Sequence, residues 1–287
     1  MNNNFIRCVA ALSFAALNFV SSNNAVAQTS FEAAMAKKLN ALVNVPDILP
    51  KGQLLYPNDA PSGIMAPTGF GGSGTYLFGG MGGTYPELYR NNKTDLIAFG
   101  GISAGNPVKA VNIAVGVNMA NVSELKNFST NFAVSRQLSA ASSISVGGLG
   151  LFASSKFSDA SAPTFYFAFS HAVQWAHSKT HGASALSYTI GIGSGRFLHK
   201  SPNDVQSGKG KRATAVFAGV SYEVLRHVNV AAEWYGTNLG VSAGIRPFAN
   251  PLSIAFGVDN LTKYSGDRAS MVLTIGYPLN IRRAPAK

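Results

Sequence analysis

Large apolar residues alternate with small or polar ones along most of the chain between residues 74 and 278. In the stretch 110–118, valines and an isoleucine at every second position alternate with Asn112, Ala114, Gly116 and Asn118. The same alternation recurs in 185–193, 251–260 and 270–277. Successive side chains of a β-strand point to opposite faces, so this pattern predicts strands with one large apolar face.

The alternation predicts twelve strands, most of them close to the roughly 9–11 residues that a tilted strand needs to cross a bilayer. Their predicted bounds are 74–81, 95–103, 110–118, 128–138, 142–153, 163–172, 185–193, 212–225, 228–235, 239–247, 251–260 and 269–278. The sequence therefore predicts an all-β protein.

Two all-β architectures fit this alternation: a β-sandwich and a transmembrane antiparallel β-barrel. The outer face of a sandwich meets water and should carry Lys, Glu, Arg and Thr, whereas here the second face carries Gly, Ala, Ser and Asn. Such a face suits the crowded interior of a barrel whose apolar face meets lipid. We therefore predict a transmembrane barrel of about twelve strands.

The lengths of the connections provide an independent test. If the N-terminus starts in the periplasm, most periplasmic connections are short and most outer ones are long, with 173–184 and 236–238 as exceptions. Outer-membrane barrels have this asymmetry.

Composition narrows the class further. Charged residues make up 12% of the chain, about half of the usual 25%, and the mean hydropathy is +0.13. The 10% aromatic content excludes a disordered chain, and the sequence has no run of 18 apolar residues that would predict a spanning helix. The net charge of +11 is dispersed apart from one loop, so nucleic acid is not a predicted partner of an exported chain.

Residues 1–27 have the pattern of a secretory signal peptide. Arg7 is the basic residue, the stretch 9–20 is apolar, and the A-V-A sequence at 25–27 predicts cleavage after Ala27. The only cysteine, Cys8, lies within this segment.

The mature chain divides into four predicted regions. Residues 28–44 form an amphipathic helix, which either packs on the protein, lies on the membrane or plugs the pore; 45–73 is a Pro/Gly-rich linker. The barrel spans 74–278, and 279–287 is a C-terminal tail.

The A-V-A signal site, the repeated ten-residue amphipathic strands and the last strand, Met271–Tyr277, resemble bacterial outer-membrane β-barrel proteins as a class. One departure is that Pro278–Lys287 follow the terminal aromatic residue. The resemblance implies an outer-membrane location, contact with the lipid bilayer and lipopolysaccharide, and insertion by the outer-membrane assembly machinery. It leaves function open, because porins, enzymes, adhesins and assembly factors share this fold.

Three motifs associated with chemistry occur out of context. The G-x-G-x-x-G at 69–74 precedes a strand, and the G-x-S-x-G around Ser103 precedes a turn, so neither has the helix that its function requires. His171, His177 and His181 lack an intervening carboxylate. We therefore expect no catalytic, metal or cofactor site, and no enzyme.

Two polar groups remain as candidate functional residues. The first is expected to line the lumen, with Glu223 and Arg246 paired across one strand beside Asn229. Its members are Asn112, Asn118, Asn131, Glu223, Asn229, Glu233, Arg246, Asp259 and Arg268. The second is a basic extracellular loop that suits lipopolysaccharide phosphates. It contains Arg196, Lys200, Lys209, Lys211 and Arg212.

These features favour a porin-like channel for small solutes. The alternative is a closed structural or interaction barrel that serves surface attachment or polysaccharide export, and an outer-membrane enzyme is the third possibility.

Overall fold

The computed structural model describes residues 56–72, 74–87, 93–121, 126–153, 163–180, 182–248, 250–262, 264–266 and 268–282. The strands are β1 (Tyr56–Pro57), β2 (Thr75–Glu87), β3 (Lys93–Gly105), β4 (Asn112–Asn121), β5 (Lys126–Gln137), β6 (Ser142–Leu151), β7 (Thr164–Ala172), β8 (Ala183–Ser184), β9 (Leu186–Gly193), β10 (Val216–Leu225), β11 (Val228–Trp234), β12 (Leu239–Ile245), β13 (Ser253–Asp259) and β14 (Ser270–Arg282). A 3-10 turn (Gly195–Phe197) and a short helix, α1 (Pro202–Gln206), lie between β9 and β10.

Twelve of these strands form one closed antiparallel barrel. Neighbours in the barrel follow the chain order from β2 to β7 and from β9 to β14, and β14 pairs with β2 to close it. The predicted twelve-stranded antiparallel barrel is therefore confirmed. The remaining two strands, β1 and β8, form a separate short parallel pair.

Side chains divide between the two faces of the wall as the alternation predicts. In β4, Ile113, Val115 and Val117 are 42–48% exposed on the outer face, whereas Asn112 is 2% exposed on the inner face. The outer face is apolar along the other strands as well, for example at Ile192 and Met271. This distribution is that of a barrel surrounded by lipid.

The two ends of the barrel differ in their connections. The start of β2 and the end of β14 lie at the end of the barrel that carries the turns 106–111, 138–141 and 226–227. The loops 194–215 and 260–269 lie at the opposite end. We assign the first end to the periplasm, because outer-membrane barrels keep their periplasmic turns short.

The final strand is longer than predicted. It continues past Tyr277 to Arg282, because Leu279 and Ile281 maintain the alternation and β2 supplies a partner as far as Thr75. Within the described residues, no helix has the length and hydropathy needed to cross a membrane. The predicted signal peptide and amphipathic helix lie outside the described residues.

Candidate functional site

Residues 58–72, which we call the lumenal segment, lie inside the barrel. Near its start, the Pro61 carbonyl oxygen lies 2.4 Å from where a Cβ on Gly244 of β12 would stand. Near its end, Gly71 is in similarly close contact with Ser135 of β5. Since β12 and β5 lie six places apart in the twelve-stranded ring, the lumenal segment crosses the interior from one wall to the other.

The middle of the lumenal segment is bound to Glu233 of β11. The backbone N–H groups of Ile64, Met65 and Ala66 donate to its carboxylate over 2.9, 3.2 and 3.0 Å. Consecutive backbone N–H groups that converge in this way form an anion-binding nest. Glu233 is 3% exposed, and burial of a carboxylate requires such compensation. A Cβ on Gly63 would lie 2.4 Å from Glu233 Oε1, so the lumenal segment approaches the carboxylate most closely at a residue without a side chain.

The start of the lumenal segment is fixed by a pair of buried amides. The Asn58 and Asn229 side chains each donate to the other, over 2.6 and 2.7 Å. Asn229 Nδ2 also donates to the Ala60 carbonyl over 3.0 Å. Both asparagines are less than 10% exposed, so the exchange satisfies polar groups that would otherwise be buried without partners.

At the periplasmic mouth the carboxylate of Asp59 contacts a guanidinium and an imidazole. Arg246 Nη1 and His227 Nδ1 each lie 2.7 Å from one of its oxygens. The predicted pairing of Arg246 with Glu223 is therefore wrong. Glu223 instead accepts the backbone N–H of Lys179 at 3.2 Å, and its Oε1 has no hydrogen-bond partner within the described residues. The alternation along the strands predicted the correct face for Glu223 and Arg246. It could not include Asp59, which belongs to the region predicted as a linker.

The end of the lumenal segment crosses to the wall formed by β6 and β7. The Gly69 N–H donates to Ser170 Oγ over 2.7 Å, and Ser145 Oγ donates to the Thr68 carbonyl over 2.7 Å. The glycines of the G-x-G-x-x-G motif thus allow close backbone packing, since a Cβ on Gly69 would lie 2.5 Å from the Ser143 carbonyl oxygen.

An aromatic cluster packs beside the middle of the lumenal segment, towards the extracellular end. The rings of Phe197 and Phe217 lie 4.6 Å apart, and Tyr166 meets Phe217 edge-on at 6.4 Å. Ala66 packs against this cluster. A cavity of about 40 Å³ lies between the lumenal segment and the wall formed by β9–β11, which is room for about one water molecule.

Two of the predicted loop cations bind within the protein. Lys200 Nζ donates to the carbonyls of Lys209 and Tyr264, over 2.8 and 2.6 Å, and is only 5% exposed. Lys209 Nζ lies 3.8 Å from Asp204 Oδ1 and also donates to the Gly266 carbonyl. These contacts hold the loop 194–215 against the loop 260–269, and we call the two loops the extracellular cap. Arg196, Lys211 and Arg212 lie on its exposed surface.

The environment of Asp204 alters its acidity. Burial alone would raise the pKa of this carboxyl. Hydrogen bonds from Ser265, the Gly266 N–H and Ser201, together with the charge of Lys209, outweigh burial and hold the pKa below its usual value. The carboxylate therefore stays ionised and joins both loops of the cap.

The other predicted lumen residues occupy separate positions along the wall. Asn112 accepts from Ser103 Oγ over 3.0 Å and its Nδ2 has no partner among the described residues. This contact places Ser103 in the barrel interior. Asn118 donates to Ser129, and Asn131 accepts from the Gly150 N–H. Asp259 ends β13, and Arg268 is exposed in the loop 260–269.

The predicted histidine group is not brought together in the described residues. His171 contacts Ser142 and Tyr188, and His177 forms a bridge with Ser184. His181 lies outside the described residues.

The closed ring of twelve strands, its apolar exterior and its polar interior together decide the class. The chain is a bacterial outer-membrane β-barrel protein. Its strands therefore lie in the outer membrane and contact the lipid bilayer. Cleavage after Ala27, lipopolysaccharide contact and the assembly machinery remain predictions.

No protein-family model and no curated protein matches the sequence. Among solved structures, the chain is similar to the dimeric outer membrane phospholipase of Salmonella typhi with bound calcium, at 10% identity and a TM-score of 0.36. That match covers 72% of this chain and 91% of the other. It is also similar to outer membrane phospholipase A from Escherichia coli, at 9% identity and a TM-score of 0.37, covering 72% and 90%.

These comparisons correct the expectation that the chain is not an enzyme. Both similar structures are phospholipases, and because one fold hosts unrelated functions, the exclusion of an enzyme drawn from the sequence does not stand. At 9 and 10% identity the likeness concerns the fold alone, and no activity is transferred from it to this chain.

Proposed function

We propose that the protein is a closed outer-membrane barrel that acts through its surfaces and serves attachment at the cell surface. The observation that carries this proposal is the binding of the lumenal segment to Glu233. Three backbone N–H groups meet one buried carboxylate there. Contacts on opposite walls then hold the segment across the interior. A segment held across the lumen in this way favours a closed barrel over an open passive pore.

The extracellular cap is the surface that this proposal assigns to attachment. Internal contacts of Lys200, Lys209 and Asp204 fix its shape, while Lys211 and Arg212 are exposed on it. A fixed surface with exposed cations suits the phosphates of lipopolysaccharide, because a surface whose backbone is already ordered loses less entropy when it binds an anion.

A porin-like channel is the second candidate. It is favoured by the hydroxyl and amide groups of the inner wall, such as Asn112 and Asn118, which suit a hydrated lumen. In this case the lumenal segment would have to leave its position before solutes pass.

Conductance in planar bilayers distinguishes the two candidates. A closed barrel should give no steady conductance as the full chain, and a variant that lacks residues 58–72 should open. Glu233→Ala provides a second test if the deletion does not fold, because it removes the main contact of the segment while leaving the chain intact. Steady porin-sized conductance of the full chain would refute the closed barrel.

Binding to lipopolysaccharide micelles tests the attachment surface separately. Lys211→Gln with Arg212→Gln should weaken binding, whereas Arg226→Gln, at the exposed turn of the opposite end, should not. Equal weakening by both changes would show a general charge effect and contradict a specific surface.

A further inference from the structure

A polar group lies on the outer, lipid-facing side of the wall at the periplasmic end. Ser142 Oγ and His171 Nδ1 lie 2.8 Å apart, and the rings of His171 and Tyr188 lie 5.4 Å apart. Neighbouring Ser143 and Ser170 are at most 4% exposed and face inward. The alternation of the strands therefore places Ser142 and His171 outside. Polar groups on a lipid face are costly unless they meet the headgroup region.

Arg136 of β5 belongs to the same outer face. Ser135 is 4% exposed and inward, so Arg136 points outward, opposite Ile144 in the register. Ser142 stands two residues before Ile144, which puts its Cα about 7–8 Å from that of Arg136. Within the part of the chain that the structure describes, the Arg136 guanidinium makes no hydrogen bond or ion pair.

The strands that carry this group contain no acidic residue. The sequence has no Asp or Glu in 125–158 or in 160–203, which include all of β5, β6, β7 and β9. Exposed Leu138 and Trp175 lie at the same end, as expected of residues at a membrane interface. A guanidinium at such an interfacial position is available to an anion from outside the protein.

We propose that Arg136, Ser142 and His171 bind the phosphate of an anionic phospholipid headgroup, one with no cationic group beside the phosphate, in the periplasmic leaflet. A guanidinium matches the geometry of a phosphate with two parallel hydrogen bonds. The Ser142–His171 pair supplies hydroxyl and imidazole groups on the neighbouring strands. Tyr188 is 42% exposed beside them, where an amphipathic ring suits the headgroup level. The acyl chains of the lipid would then lie along the apolar wall.

Native mass spectrometry of the full chain in detergent tests the proposal. The probe is an equimolar mixture of phosphatidylglycerol and phosphatidylcholine, and the measurement is the ratio of the two lipids retained. The wild type should retain phosphatidylglycerol preferentially. Arg136→Gln should lower that ratio about fivefold, the effect of about one basic residue near a membrane surface. Arg136→Lys should lower it less, because the charge remains but the two-bond geometry is lost.

Arg226→Gln is the matched control, since Arg226 is exposed at the same end of the barrel but on a different part of the rim. Every variant must keep the heat-modifiable gel mobility of the folded barrel. The proposal is overturned if the wild type shows no preference, or if Arg226→Gln lowers the ratio as much as Arg136→Gln. Displacement of the lipid by an equal concentration of glycerol phosphate would also overturn it, because the ligand would then be a soluble phosphate.

Discussion

The carboxylate of Glu233 accepts the backbone N–H of Ile64 over 2.9 Å, although 169 residues separate the two along the chain. Met65 and Ala66 donate to the same carboxylate. A single acidic side chain of the wall therefore fixes the middle of the lumenal segment. Because the donors belong to the backbone, substitution of Glu233 is the direct way to break this contact.

Replacement of Glu233 should destabilise the folded barrel. In Glu233→Ala the three N–H groups lose a charged acceptor in a buried place, and we expect a loss of about 3 kcal/mol of unfolding free energy. Urea titration, read from the gel mobility of folded and unfolded chains, measures the change. Glu223→Ala is the control, because this carboxylate is equally buried but accepts only the Lys179 N–H. Equal losses in the two variants would contradict a special role for the lumenal segment.

The ion pair of Asp59 and Arg246 should tolerate an exchange of charges. Asp59→Arg or Arg246→Asp alone places like charges together at the mouth, while the double variant restores the attraction. Both side chains are partly exposed, so the coupling should be about 1 kcal/mol or less and should weaken in high salt. A double-mutant cycle in urea checks it. If the double variant is no more stable than the worse single variant, the pair contributes nothing.

The strands of this barrel could be predicted from the sequence because the signal is local. Each strand repeats an apolar residue at every second position, and lipid on one side enforces that repeat throughout the wall. All twelve predicted strands overlap observed ones. Only the ends shift, as in β14, where pairing with β2 extends the strand to Arg282.

The lumenal segment could not be predicted in the same way. Its proline and glycine content gives no periodicity, and its partners, Glu233 and Asn229, lie more than 160 residues away in the sequence. One signal was available in the sequence. Glu233 is an isolated inward-facing acid, a buried carboxylate requires a partner, and the predicted strand 228–235 contains no cation. The partner proved to be backbone N–H groups, whose positions depend on the folded path of the chain.

Acid should loosen the extracellular cap. The pKa of Asp204 is lower in the folded protein than in the unfolded chain. Its contribution to stability is therefore complete above the unfolded value of about 4 and is lost as the pH falls through the lower folded value. Hydrogen exchange of the loops 194–215 and 260–269 should accelerate below about pH 4 relative to the strands.

In Asp204→Asn the cap should exchange faster already at pH 7, and the acid-induced change should shrink. An unchanged acid response in this variant would assign the effect to another group.

Addition of one methyl group at Gly69 should disturb the lumenal segment more than the same change elsewhere in a glycine-rich barrel. A Cβ at Gly69 would lie 2.5 Å from the Ser143 carbonyl oxygen and 2.7 Å from the Ser170 nitrogen, both of them backbone atoms of the wall. Neither can move without distorting β6 or β7, so the segment itself must shift, and we expect Gly69→Ala to cost about 1–3 kcal/mol.

Gly79→Ala is the matched control, because the nearest atom to its Cβ would be 3.6 Å away. It should change the unfolding free energy by about 0.5 kcal/mol or less. Urea titration of both variants measures the difference, and conductance shows whether the shifted segment opens the barrel. Equal stability of Gly69→Ala and Gly79→Ala would mean that the end of the segment does not pack against this wall.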